Sequence, residues 1–301
     1  MKNLKIFNTT VLDGTLDFKS FINDYACSGF GDLSFDDKKK EIKRLKKKFN
    51  ERKIIVGREY GFDGKKLIVV NDSNNYNGGK YKIVNGCKDY DKDDLRDVRT
   101  SCDIVLLRKD DSGLVVAAPA SDDPIIIIED EENEVTALSH CNMEKISAEL
   151  PIHMVDALKK EVNSNIRNLK VYISPCLKRT HNAHFLKPKT IVENPKIWKG
   201  CVSHGFVRNV KIYTSKQFLY YLMNAFEYKI NEEKAISNMF VKKGLRPENI
   251  SISEEDTFKS VNLFSKRNSE YWNEPLLDGK FLVGAFYQVE ENSDKKKAVM
   301  K

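Results

Sequence analysis

Long apolar runs are missing from this chain, and none approaches the roughly 20 residues that a helical membrane span requires, so a helical membrane protein is excluded and no membrane partner is expected. The start, Met1-Lys2-Asn3-Leu4-Lys5-Ile6-Phe7, lacks the apolar core of a secretory signal, and the expected compartment is the cytoplasm. The six cysteines include no Cys-x-x-Cys pair. In a cytoplasmic chain they are expected as reduced, mostly buried thiols, with no structural disulfide. Gly78-Gly79-Lys80 lacks the rest of the Walker pattern, so it is not a phosphate loop. There is also no strong excess of one charge. The net +7 is the small difference between 51 basic and 44 acidic residues, a mixed surface that argues against nucleic acid as the partner. No internal repeat is present, and the sequence leaves the oligomeric state open.

A 41% hydrophobic share over 301 residues is enough for a packed core. Residues 1–35 read as an extended start, Leu4–Val11 followed by a turn at Asp13-Gly14. Asp36-Asp37 caps a helix over 37–50 whose Ile42, Leu45 and Phe49 fall at helical spacing. The Lys and Arg on the rest of that helix read as a solvated face, with a basic arm for RNA or acidic lipid as the alternative. Strands are expected at 53–57, 66–70, 102–107, 114–118, 125–128, 135–138, 171–175, 250–252, 263–265 and 281–286. Residues 71–95, rich in Asn, Asp, Gly and Lys, read as a mobile loop. A helical pattern runs over 142–163, with Pro151 kinking it or starting a new helix. Residues 176–211 look loop-rich. Helices follow at 215–226 and 232–243, the latter closed by Gly244. The pattern predicts one α/β domain over 1–290 with a mixed sheet and helices outside it, then a charged tail over 291–301.

Two strand ends carry the chemistry. The first strand runs through Pro119-Ala120 into Ser121-Asp122-Asp123-Pro124. The second stops at Ser139-His140 and gives way to a helix. Residues at such ends face crevices. These motifs, Pro119-Ala120-Ser121-Asp122-Asp123-Pro124 and His140-Cys141-Asn142-Met143-Glu144-Lys145, resemble the Thr-Ala-Asp-Cys-x-Pro and His-Ala-Gly-Trp-Arg-Gly motifs of the laccase-domain family, also called multicopper polyphenol oxidoreductase-like proteins. Weaker matches follow in the same order along the chain: Arg58-Glu59-Tyr60-Gly61, Ser101-Cys102-Asp103, Ile173-Ser174-Pro175, the helix end at Gly244-Leu245, Leu263-Phe264-Ser265-Lys266-Arg267-Asn268, and Gly279-Lys280.

The resemblance implies a single layered α-β-β-α domain acting on purine nucleosides, by phosphorolysis of the glycosidic bond and by deamination of adenosine. It also implies zinc, held in the family by two histidines and one cysteine. The matching positions are Tyr60, Asp122 and His140. Zinc accepts imidazole and carboxylate, whereas tyrosine is an uncommon ligand. His140 is the candidate base or metal ligand, and Asp122 its partner or a second ligand. Lys266 and Arg267, with Lys280, are candidates for an anion such as phosphate, and Tyr60 for the substrate. Because two of the three metal positions are replaced, the alternative is a catalytically silent member that binds a ligand or a protein partner. Outside the resemblance, His181 and His184 stand three apart, a weak metal pair. Cys141 beside His140 is a weak nucleophile, since adjacent residues point apart.

Overall fold

The structure, a computed structural model, describes residues 4–10, 66–71, 81–89, 98–184, 187–206, 226–272 and 278–288, together with Asp36, Asp37, Lys40, Lys43 and Arg44. Three of its strands explain the layering. In β5 (Ile104–Arg108), β6 (Leu114–Ala120) and β7 (Ile125–Asp130), almost every position is apolar. Alternate side chains of a strand point to opposite faces. Val105, Leu107, Ile125, Ile127, Leu114, Val116 and Ala118 therefore fill one core. Ile104, Leu106, Ile126 and Ile128 enter a second. Val115 and Ala117 enter a third. Strands that are apolar on both faces need cover on both sides.

The first core lies between two mixed sheets. One has the order β1-β14-β6-β2-β4, from Leu4–Asn8, Phe281–Tyr287, β6, Lys66–Asn71 and Val98–Ser101. The other has the order β13-β9-β7-β8-β5-β3, from Ile250–Ile252, Lys170–Ile173, β7, Val135–His140, β5 and Ile83–Asn85. Thr136 on β8 and Tyr287 on β14 join the two sheets by a hydroxyl pair at 2.8 Å. Pro119 is tolerated in a central strand because β2 pairs with β6 only as far as Ala117. A third, small sheet has the order β10-β12-β11, from Ala183–His184, Phe226–Ile230 and Val202–Phe206.

Helices cover the outer face of the six-stranded sheet. Helix α1 (Gly86–Asp89) is a single turn at the end of β3. Helix α2 spans Met143–Ser147 and α3 Leu150–Val162. Pro151 starts α3 anew, after Glu149 takes the left-handed conformation at φ 58°. The short α4 (Lys189–Glu193) follows. Then α5 (Glu232–Lys243) ends on Gly244 at φ 109°, where a glycine carries no Cβ penalty. Met154, Leu158, Ile236 and Phe240 bury the α3 and α5 faces against the sheet. Among the described residues, no helix is long and apolar enough to cross a membrane.

Several expectations need correction. Within the stretch read as a loop, Ile83–Asn85 is a strand parallel to β5, because Val84 fits the core between the sheets. Within 176–211, residues Val202–Phe206 form a strand rather than loop. Leu263-Phe264-Ser265 is not a strand. It leads into helix α6 (Lys266–Trp272), and the Ser265 hydroxyl accepts from Asn268 N at 3.1 Å as a cap. The expected strand at 53–57 lies outside the described residues, as does all of the helix at 215–226 except Phe226, which begins β12.

Candidate functional site

Register brings the two motifs together. Strands β7 and β8 are antiparallel neighbours that place Ile125 opposite His140, so the Ser121–Pro124 link and the end of β8 meet at one edge of the sheet. Cys141 N donates to the Pro124 carbonyl at 2.9 Å, and Leu177 N to the Asp122 carbonyl at 2.8 Å. On the helix side, Asn142 caps α2 by accepting from Lys145 N. The Lys145 amine lies 3.6 Å from the buried Asp103 carboxylate, anchoring α2 to the sheet next to β5.

Asp122 is a scaffold residue. Its Oδ1 accepts from the Ser265 hydroxyl at 2.6 Å and the Thr257 hydroxyl at 3.2 Å. Its Oδ2 accepts from Arg267 N at 3.0 Å. With Ser121 accepting from Lys266 N at 3.1 Å, the link satisfies the orphan amides that open α6. Burial pushes the Asp122 carboxyl up, against the opposing pull of these bonds. The carboxylate facing His140 is that of Asp123, 3.6 Å from Nε2. His140 itself is largely covered, with 12% of its side chain exposed.

These elements border a cavity of about 410 Å³. Asp122, Asp123, Glu144 and Glu232 supply carboxyls, while Lys266, Arg267 and Lys280 supply cations. Four of the expected residues, Asp122, Lys266, Arg267 and Lys280, thus share one cavity, and His140 is not among those that line it. His184 lines it too, through a chain of contacts. Its Nε2 lies 3.0 Å from the Asn182 side-chain oxygen, and the Asn182 amide donates to Glu232 Oε1 at 3.3 Å. Burial, then the Arg267 charge, pushes the His184 imidazole down, favouring its neutral form. Glu232 is only 4% exposed. Burial, and next the Asp123 charge, raise its carboxyl to about 8.

His181 and His184 take different partners. The His181 Nδ1 meets the Asp256 carboxylate at 2.6 Å, and its ring stacks on Phe258 at 4.4 Å. Cys141 is fully buried. Tyr60 lies outside the described residues. Asp123, Asn182 and Glu232 escaped the sequence reading. Glu232 looks there like an ordinary acid in a helix first turn, because its burial depends on the neighbouring sheet.

Zinc is not a fit for the residues described. The oxygens of Asp122 are taken up by two hydroxyls and an amide. Among the described residues, no group of three His, Cys, Asp or Glu could hold a metal ion. A site of one imidazole and one loosely placed carboxylate falls short of the three protein ligands that catalytic zinc uses.

Solved structures share this fold. YlmD from Geobacillus stearothermophilus superposes with a TM-score of 0.60 at 13% identity, over 95% of this chain and 93% of that one. The hypothetical protein YfiH of Bacillus licheniformis gives 0.58 at 11% identity, with the same coverage. NMB0706 of Neisseria meningitidis gives 0.58 at 10% identity over 96% of each chain. The chain has the YfiH-like fold. These are laccase-domain proteins, so the architecture expected from the two motifs is the one found. At such identities the YfiH likeness is one of fold. No family model and no curated protein matches the sequence.

Proposed function

We propose that the cavity binds a purine nucleoside together with phosphate and cleaves the glycosidic bond by phosphorolysis without a metal. The observation that carries this is the lining of a single cavity by three cations and a cluster of carboxyls. Its 410 Å³ is of small-molecule size. Phosphate brings a dianion, which Lys266, Arg267 and Lys280 neutralise, Arg267 with a planar fork suited to phosphate oxygens. Bond cleavage puts positive charge on the ribose ring, which Asp123 and Asp122 stabilise by their field. His140 does not itself line the cavity; its Nε2 lies 3.6 Å from Asp123, which does, and through that carboxylate it exchanges a proton with a sugar hydroxyl or with phosphate. Asp122 acts mainly by placing Arg267, whose backbone amide it binds, while Ser121 binds the amide of Lys266.

The test is chromatographic. Hypoxanthine release from inosine, and adenine release from adenosine, are measured with and without phosphate. Phosphate-dependent release supports the reading; conversion of adenosine to inosine indicates deamination instead. A second reading, binding without turnover, is favoured by the full engagement of the Asp122 oxygens. Calorimetric binding of inosine and phosphate without any base release would support it.

A further inference from the structure

Glu232 has the surroundings of a proton donor. It is the first residue of α5, is 4% exposed, and lines the cavity. Its Oε1 accepts from the Asn182 amide, and among the described residues no other hydrogen bond engages the carboxyl. With the amide so oriented, the Asn182 oxygen faces His184 Nε2, which fixes the proton of the neutral imidazole on Nε2. Neither Asn182 nor the neutral His184 offers Glu232 a countercharge. The charged groups that act on it are Asp123 and Asp122, which disfavour its ionisation, and His140, which favours it. Crowded carboxyls in a buried site cannot all ionise, and the most buried one keeps its proton.

We propose that Glu232 is the general acid of the cavity, delivering its proton to the purine as the base leaves. The inference rests on the phosphorolysis reading above. In the step, a phosphate oxygen forms a bond to the ribose anomeric carbon while the bond from that carbon to the purine nitrogen breaks. The electron pair of that bond goes to the purine ring. The Glu232 proton passes to a ring nitrogen and leaves a carboxylate. The hydrogenphosphate proton, released as ribose 1-phosphate forms, then restores the acid through solvent. Nothing is oxidised or reduced.

A substrate whose leaving group needs no proton separates this role from a structural one. Inosine and p-nitrophenyl riboside are compared on the full chain, for the wild type and for Glu232→Gln, which keeps an acceptor for Asn182. General acid catalysis contributes about 10²–10⁴-fold. The variant is therefore expected to lose at least ~100-fold more kcat on inosine than on the nitrophenyl riboside. In the wild type alone, kcat on inosine falls at alkaline pH, whereas kcat on the nitrophenyl riboside lacks that limb. This second readout stands even if the variant fails to fold. Equal losses on both substrates, or identical alkaline limbs, overturn the role of Glu232 while leaving phosphorolysis intact. A wild type that releases neither base nor nitrophenol overturns the phosphorolysis reading itself.

Discussion

Replacing Asp122 by alanine removes the acceptor of three donors at once: the Ser265 hydroxyl, the Thr257 hydroxyl and the Arg267 amide. Hydrogen bonds to a charged group are worth about 1.5–3 kcal/mol each. The full sum overstates the loss. Both hydroxyls can turn to other acceptors or to water. The wild type also bears the cost of burying this carboxyl, whose titration is raised by burial before its bonds pull it back. A net destabilisation of about 3 kcal/mol remains. For a domain of this size, each kcal/mol moves Tm by roughly 2–4 °C, so Asp122→Ala should melt about 6–12 °C lower by circular dichroism. Activity should vanish with it, because Arg267 loses its anchor. His140→Ala should also lose activity, with a much smaller fall in Tm, since the residue ends a strand beside the cavity-lining Asp123 instead of tying elements together. An Asp122→Ala protein melting within 2 °C of the wild type would refute the scaffold role argued for this carboxylate.

The remaining predictions concern other layers. A Cβ at Gly284 would sit 2.5 Å from the Val116 carbonyl oxygen, 2.6 Å from the Phe7 ring and 2.7 Å from the Ala117 Cβ, so Gly284→Ala should cost about 3 kcal/mol or more in a urea melt. A wild-type midpoint would show that β14 and β6 are not so closely packed. Burial raises the Glu129 carboxyl to about 7. Between the ordinary carboxylate range and about 7 the folded protein holds a proton that the unfolded chain has lost, so stability from this group is full at low pH and declines as pH rises through that window. Glu129→Gln should flatten this decline in melts taken from pH 4.5 to 8; parallel curves for the two proteins would contradict it. Arg267→Ala should raise KM for phosphate at least ~10-fold, with less effect on KM for the nucleoside, in initial-rate kinetics. Equal effects on both would place the anion elsewhere.

Much of the architecture was legible because β5, β6 and β7 carry apolar residues at nearly every position, and Gly244 and Pro151 mark helix ends by backbone chemistry alone. The strand-to-helix reversal at Ser265 was less legible. Leu263 and Phe264 are fully buried, as in a strand, and the capping pair of Ser265 and Asn268 was the only opposing signal. For the site, motif order located His140, Asp122, Lys266 and Arg267. It could not assign their partners. Which of two adjacent aspartates turns to His140 depends on how the Ser121–Pro124 link bends to meet α6, and that is set by residues more than 130 positions away. Glu232 and Asn182 reach the cavity only through the packing of α5 and the small sheet, which no local pattern encodes.

The most direct test of the central claim is the release of hypoxanthine from inosine as phosphate is titrated, on protein whose zinc has been counted by elemental analysis. Saturable, phosphate-dependent release from zinc-free protein is expected, with Arg267→Ala needing at least ~10-fold more phosphate to reach half-saturation. Release that rises in proportion to bound zinc, or none from folded protein at any phosphate concentration, would contradict it.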